Sequence, residues 1–173
     1  RQSDEDAVTR PPCVNSLLRG DNATWPYLVQ NNMSTVGGKN YEPFRIPGYG
    51  DFAAIAEFGT ADSGYAGNSK IWRYDAATER FNFFQDIQTS GGVAMAFHTV
   101  LDKRDPTKPN ATVHVLFVAN NCHGGCQTMD REEQSKMYMF SPDHERFEEF
   151  ASYSSHGATD VEAFSLPSNA RDR

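Results

Sequence analysis

The sequence predicts an all-β protein built from a repeated antiparallel unit. Three observations carry that expectation. From Tyr41 onward, runs of four to seven residues rich in Phe, Tyr, Val and Ile are each bounded by Gly, Pro, Asp or Asn, the pattern of strands punctuated by turns. No segment sustains an apolar stripe at i, i+3, i+4 and i+7 over ten or more residues, so amphipathic helices are not expected. A hairpin-like stretch, "SKIWRYDAATERFNFFQDI" at 69–87, returns 66 residues later as "SKMYMFSPDHERFEEFASY" at 135–153.

Taken in order, residues 1–40 are polar and broken by Pro11, Pro12, Pro26, Gly37 and Gly38, with one apolar cluster, "WPYLV" at 25–29. They read as an extended N-terminal arm with one short strand. "YEPFRIPGYGDF" (41–52) reads as the start of a partial copy, because Tyr41, Phe44, Gly48 and Asp51 follow the order of Phe147, Phe150, Gly157 and Asp160. The apolar "AAIAEF" and a Gly-containing loop complete that partial unit, 41–68. A first full unit, about 69–100, holds the hairpin and then "SGGVAMAF" at 90–97; "LDKRDPTKP" reads as an exposed loop. A second unit, 113–166, opens on "VHVLFVA", apolar enough for a strand buried on both faces. It continues through "CHGGC", the second hairpin and "HGATDVEAF" (156–164). Within it "DREEQSKM" (130–137) is the best helical candidate, though polar enough for a loop; 167–173 is a polar tail.

The repeat is exact enough to fix register. Six of nineteen positions agree between the two hairpins: Ser69/Ser135, Lys70/Lys136, Glu79/Glu145, Arg80/Arg146, Phe81/Phe147 and Phe84/Phe150. Ile71/Met137, Trp72/Tyr138 and Tyr74/Phe140 keep their physical type, and the turns are equal in length. Both hairpins therefore present the same residues to the same face. The large aromatics among these positions are expected to be core side chains of stacked sheets rather than a carbohydrate platform.

Composition narrows the function. With 173 residues, 38 % of them hydrophobic, the chain has material for one core. A net charge of −7 supplies no basic stripe for nucleic acid. No run of 18 apolar residues occurs and the first residues lack the form of a signal peptide, so membrane insertion is not expected and the chain reads as soluble or already processed. Three N-x-[ST] sequons, at Asn22, Asn32 and Asn110, fall in turn-rich polar sequence and point to N-glycans and a secreted or cell-surface location. Cys122 and Cys126 can close a small disulfide loop across two glycines, which leaves Cys13 unpaired within the chain and suggests an interchain bond or a fragment of something longer.

No cofactor or chemistry is predicted. The five histidines are scattered, and neither H-E-x-x-H nor G-x-S-x-G occurs. Cys122, His123 and Cys126 fall one ligand short of a structural zinc site. Asp51 and Asp160, in matching places of the presumed repeat, admit a shared calcium ion; the competing reading has each accepting turn N–H bonds, since no D-x-D-x-D-G loop accompanies them.

The order "VLFVANN", "SKMYMF", "ERFEEF", "HGATDVEAF" resembles the EAR repeat, also called EPTP or the epilepsy-associated repeat, of extracellular β-propeller proteins. Val118–Asn120, Ser135–Phe140, Phe147–Phe150 and Gly157–Phe164 fill the family's places in the second unit; Ser69–Tyr74, Phe81–Gln85 and Gly91–Phe97 do so in the first. The resemblance covers roughly 41–166 and implies four-stranded antiparallel blades of a β-propeller, about two of them, incomplete in this chain. It also implies a role in binding other extracellular protein chains. The expected function is thus a non-catalytic extracellular module for protein–protein binding or assembly with other chains or further copies of itself. The alternatives are a carbohydrate-binding or carbohydrate-active propeller and a structural subunit of an extracellular polymer.

Overall fold

The computed structural model describes residues 33–59, 66–104, 107, 110–122 and 132–165. The chain divides into two units, Arg1–Asn32 and Met33–Arg173, and the first of these lies outside the described residues together with the apolar cluster at 25–29. The described residues are all-β. Eight strands follow one another: β1 (Gly38–Ile46), β2 (Gly50–Glu57), β3 (Ala66–Asp75), β4 (Arg80–Ser90), β5 (Gly92–Leu101), β6 (Thr112–Asn120), β7 (Glu132–Ser141) and β8 (Arg146–His156). They form two four-stranded antiparallel sheets, β1-β2-β3-β4 and β5-β6-β7-β8, each a simple meander.

The sheet boundaries depart from the three-part division suggested by the repeat. One unit ends at Ser90 and the next begins at Gly92, so the stretch 41–68 is the first half of a complete sheet and "SGGVAMAF" opens the second. Asp51 accordingly lies where β1 turns into β2, paired with Arg45, whereas Asp160 follows β8 outside any strand; their places do not match. The helical candidate is also corrected. Glu132–Ser141 is strand β7, laddered to β8 from Glu132↔His156 to Ser141↔Arg146. Cross-strand pairing over ten residues outweighs the weak helix preference of a Glu- and Gln-bearing run.

The two sheets repeat in detail. Each carries a bulge at the same two places, after Gly38 and Gly92 in the first strand pair and after Ile71 and Met137 in the last. The tight hairpins place Glu79 and Glu145 at φ 53° and 46°, a left-handed conformation that costs a non-glycine residue energy and is kept here to close the β3–β4 and β7–β8 turns. A buried hydroxyl pair recurs as well: Ser69 and Thr89 Oγ atoms lie 3.0 Å apart, and those of Ser135 and Ser155 lie 2.8 Å apart. In both sheets the serine accepts the N–H of the last residue of the second strand, Glu57 at 3.0 Å and Asn120 at 3.2 Å. The paired hydroxyl donates to a carbonyl of the third strand, Gly67 or Glu133, at 3.0 Å.

Between the sheets sits one core. Phe44, Ile46, Phe52, Ala54, Ala56, Ile71 and Ile87 of the first sheet meet Met95, Leu116, Val118, Tyr138, Phe140 and Phe147 of the second. Strand alternation explains the membership, since residues two apart share a face. Phe44 stacks on Phe97 at 4.3 Å and meets Phe147 edge-on at 5.8 Å, the offset and T-shaped arrangements that aromatic rings favour. Within the second sheet, β6 is buried on both faces from Val115 to Ala119 apart from half-buried Phe117.

Candidate functional site

The face that each sheet presents to the other is set by its polar contacts as well as its apolar ones. Gln85 of β4 spans the gap: its Nε2 donates to the Phe147 carbonyl at 2.7 Å and its Oε1 accepts the Phe147 N–H at 2.8 Å. Tyr138 Oη donates to the Gln88 carbonyl at 3.3 Å. From β1, Asn40 Oδ1 accepts the Met95 N–H at 3.0 Å and Glu42 Oε1 accepts the Phe97 N–H at 2.9 Å. β5 thus runs beside β1, with the N–H groups of Met95 and Phe97 taken by β1 side chains. Burial pushes the Glu42 carboxyl above the usual range, and the Phe97 N–H pulls part of the way back. The Tyr138 phenol is pushed up to about 12 by burial, with Glu149 adding to it.

These contacts are made by two different faces. On the first sheet the buried face carries Ile71, Phe84 and Ile87; on the second, the equivalents of those residues, Met137, Phe150 and Tyr153, point away from the core. Phe150 and Tyr153 are 57 % and 41 % exposed. Conversely Tyr138, Phe140 and Phe147 are buried against the first sheet, while their equivalents Trp72, Tyr74 and Phe81 lie on its far side. The sheets are stacked head to tail, so each end of the pair carries a copy of a face that the other sheet buries; the first sheet's copy, Trp72, Tyr74 and Phe81, is half-buried. On the first sheet's far side Phe83 is 53 % exposed, and two polar atoms there, Tyr41 Oη and Trp72 Nε1, are buried without a hydrogen-bond partner. Trp72 occupies the position of Tyr138, whose hydroxyl does have a partner on the preceding sheet.

An open groove of about 420 Å³ lies at the other end of the strands, lined among others by Tyr49, Asp102, His114, Phe140 and Glu148. Its carboxylates are engaged: Asp102 with Arg104 at 2.8 Å, Glu148 with His144 at 2.8 Å and Glu149 with Lys136 at 2.9 Å. His114 Nδ1 lies 2.9 Å from Thr99 Oγ1, and burial holds its ring below the usual histidine range. These pairs compose a solvated ionic rim.

The other sequence-predicted residues fall as follows. Asp51 accepts from Arg45 Nε and Nη2, at 2.6 and 2.7 Å, which lowers its pKa. Asp160 Oδ1 accepts the Val161 N–H at 2.8 Å. Among the described residues no group of three or more His, Cys, Asp or Glu side chains is placed to hold a metal ion. Asn110 is exposed in the turn before β6. Cys122 is fully buried and engaged, just beyond β6. Asn22, Asn32, Cys13 and Cys126 lie outside the described residues.

Sequence reasoning missed the inter-sheet bonds of Asn40, Glu42 and Tyr138. Gln85 alone carried a signal, a polar amide closing the aromatic run "FNFFQ". No protein-family model matches the chain, and no curated protein does.

Proposed function

We propose that this chain is a non-catalytic extracellular glycoprotein module that assembles with other protein chains through EAR-like β-propeller blades. The observation that supports the reading best is the head-to-tail stacking: Trp72, Tyr74 and Phe81 repeat Tyr138, Phe140 and Phe147, and Met137, Phe150 and Tyr153 repeat Ile71, Phe84 and Ile87. A face whose twin is buried in the same molecule is built for burial. Contiguous apolar surface of this kind marks an interaction site, and a fourfold to eightfold ring of such sheets is the usual way to close it. N-glycans on Asn110, Asn22 and Asn32, a Cys122–Cys126 disulfide and an interchain bond through Cys13 belong to the same reading, which places the module outside the cell.

Native mass tests the proposal. Light scattering on the chain, with and without reductant and after deglycosylation, is expected to give a multiple of 19.3 kDa or a larger hetero-complex. Phe81→Asp, whose twin Phe147 is fully buried, and Phe150→Asp, whose twin Phe84 packs against the core, are expected to dissolve it with the far-UV circular dichroism unchanged. A compact monomer indifferent to both substitutions would sink the reading.

A further inference from the structure

The connection between β5 and β6 is closed at its neck. Leu101 and Thr112 are the last partners of the β5–β6 ladder, and just beyond them the Asp102 N–H donates to the Ala111 carbonyl at 2.7 Å. Asn110 stands one residue outside that bond, exposed and in a turn, and it opens the sequon Asn110-Ala111-Thr112. Both sides of the neck, Asp102 and Thr112, line the open groove of about 420 Å³. Two residues of chain span at most roughly 7 Å, so a group attached to Asn110 begins within that distance of a lining residue.

The lining selects a chemical class. The groove has the volume of a small-ligand site, ~300–1,000 Å³. Its carboxylates, Asp102, Glu148 and Glu149, are each paired with a basic side chain, Arg104, His144 and Lys136, so it gathers no charge of one sign. Burial lowers the pKa of the His114 ring, which therefore stays neutral near pH 7. Carboxylate acceptors stand beside the hydroxyls of Thr112 and Ser141, which both donate and accept. Half-buried Tyr49, edge-on to Phe140 at 4.8 Å, supplies an aromatic wall. A neutral ligand that carries hydroxyl groups and an apolar ring face meets all of these. An anion would face three carboxylates, and among the described residues no group of three His, Cys, Asp or Glu side chains is placed to hold a metal ion.

We propose that this groove seats the chain's own N-glycan: the first two sugars on Asn110, both N-acetylglucosamine, lie in it with a ring face against Tyr49 and hydroxyls on Thr112, Ser141 and Glu148. The proposal rests on the glycoprotein part of the assembly reading. Tethering makes weak recognition sufficient. A short flexible link holds its ligand at an effective concentration in the mM range, so a contact with a Kd of about 1 mM is already enough to keep the sugars seated much of the time. Seated there, they occupy this end of the strands and leave the two outer sheet faces to protein partners.

The test uses the full chain, secreted from eukaryotic cells grown on carbon-13 glucose. Mass spectrometry of the peptide that carries Asn110 reads occupancy of the site. Nuclear Overhauser contacts are then expected between the acetyl methyls of the first two sugars and the Tyr49 ring, with sugar C–H order parameters of about 0.85, as in rigid backbone. Glu148→Arg puts a long side chain on an exposed lining position. It is expected to abolish those contacts and to bring the order parameters below about 0.6, while the deglycosylated variant melts close to the deglycosylated parent. Occupied Asn110 with mobile sugars and no contact to Tyr49, or contacts indifferent to Glu148→Arg, overturns the inference and leaves the glycoprotein reading standing. Unmodified Asn110 overturns the inference together with that part of the reading.

Discussion

Gln85 and Glu42 show how single side chains join the two sheets. The Gln85 amide meets both backbone groups of Phe147, so Gln85→Ala leaves a half-buried N–H and C=O unpaired. Such groups cost about 1–3 kcal/mol, and urea unfolding should show a loss in that range with the m-value retained. Glu42 acts through pH. Its folded pKa is raised by burial, so the folded state binds the proton more tightly than the unfolded chain, and stability falls as pH rises from the ordinary glutamate value of about 4.3 through the higher folded value. Glu42→Gln keeps an acceptor for the Phe97 N–H and removes the charge. Its melting temperature should equal or exceed that of the parent at pH 7, and the part of the acid-side slope due to Glu42 should vanish. Gln85 left one signal in the sequence, an amide closing the aromatic run "FNFFQ", and Glu42 left none. A glutamate near the start of a strand reads as a solvated edge, and only the placement of β5 beside β1 makes it an inter-sheet acceptor.

At the scale of the element, the hairpins were the legible part. Equal turn length and aromatic spacing fixed the β3–β4 and β7–β8 registers, and the structure adds that both ladders bulge at the same step. The strands β1 and β2 were harder. Their sequence shares few identities with β5 and β6, because Tyr41 stands opposite Ile55 where Met95 stands opposite Val118, and what persists is the pairing pattern rather than residue type. The weak match to 147–160 took its place. β7 was misread for a different reason: periodicity has no hold on a short polar run, and its first residues are held in the sheet by their ladder to β8, which the run does not announce. The junction at Gly91 gives the element-scale prediction. Gly91→Ala combines positive φ with contacts of 2.9 and 3.3 Å to Cys122, and should cost more than about 1 kcal/mol in equilibrium unfolding. Phe147→Ala, which removes a fully buried ring shared by Phe44 and Phe140, should cost about 3–5 kcal/mol. Phe81→Ala, the same residue one sheet earlier and half-buried, should cost the isolated chain much less.

For the whole molecule, the difference between those last two substitutions is itself informative. In an assembly that covers the first sheet, Phe81→Ala should become as damaging as Phe147→Ala, which chemical unfolding of the native complex against the isolated chain would reveal. The two outer faces are unlike each other, one matching Tyr138 and its neighbours and the other matching Ile71 and its neighbours. Contacts between unlike faces have a direction. They do not yield a two-fold dimer, since no copy of a face is complementary to itself, and they add units in one sense until a ring closes or growth continues. A chain disabled on one face only would therefore act as a terminator: mixed in at a small fraction with the parent, a Phe150→Asp chain would occupy an end, offer none in return, and shorten every assembly it joined.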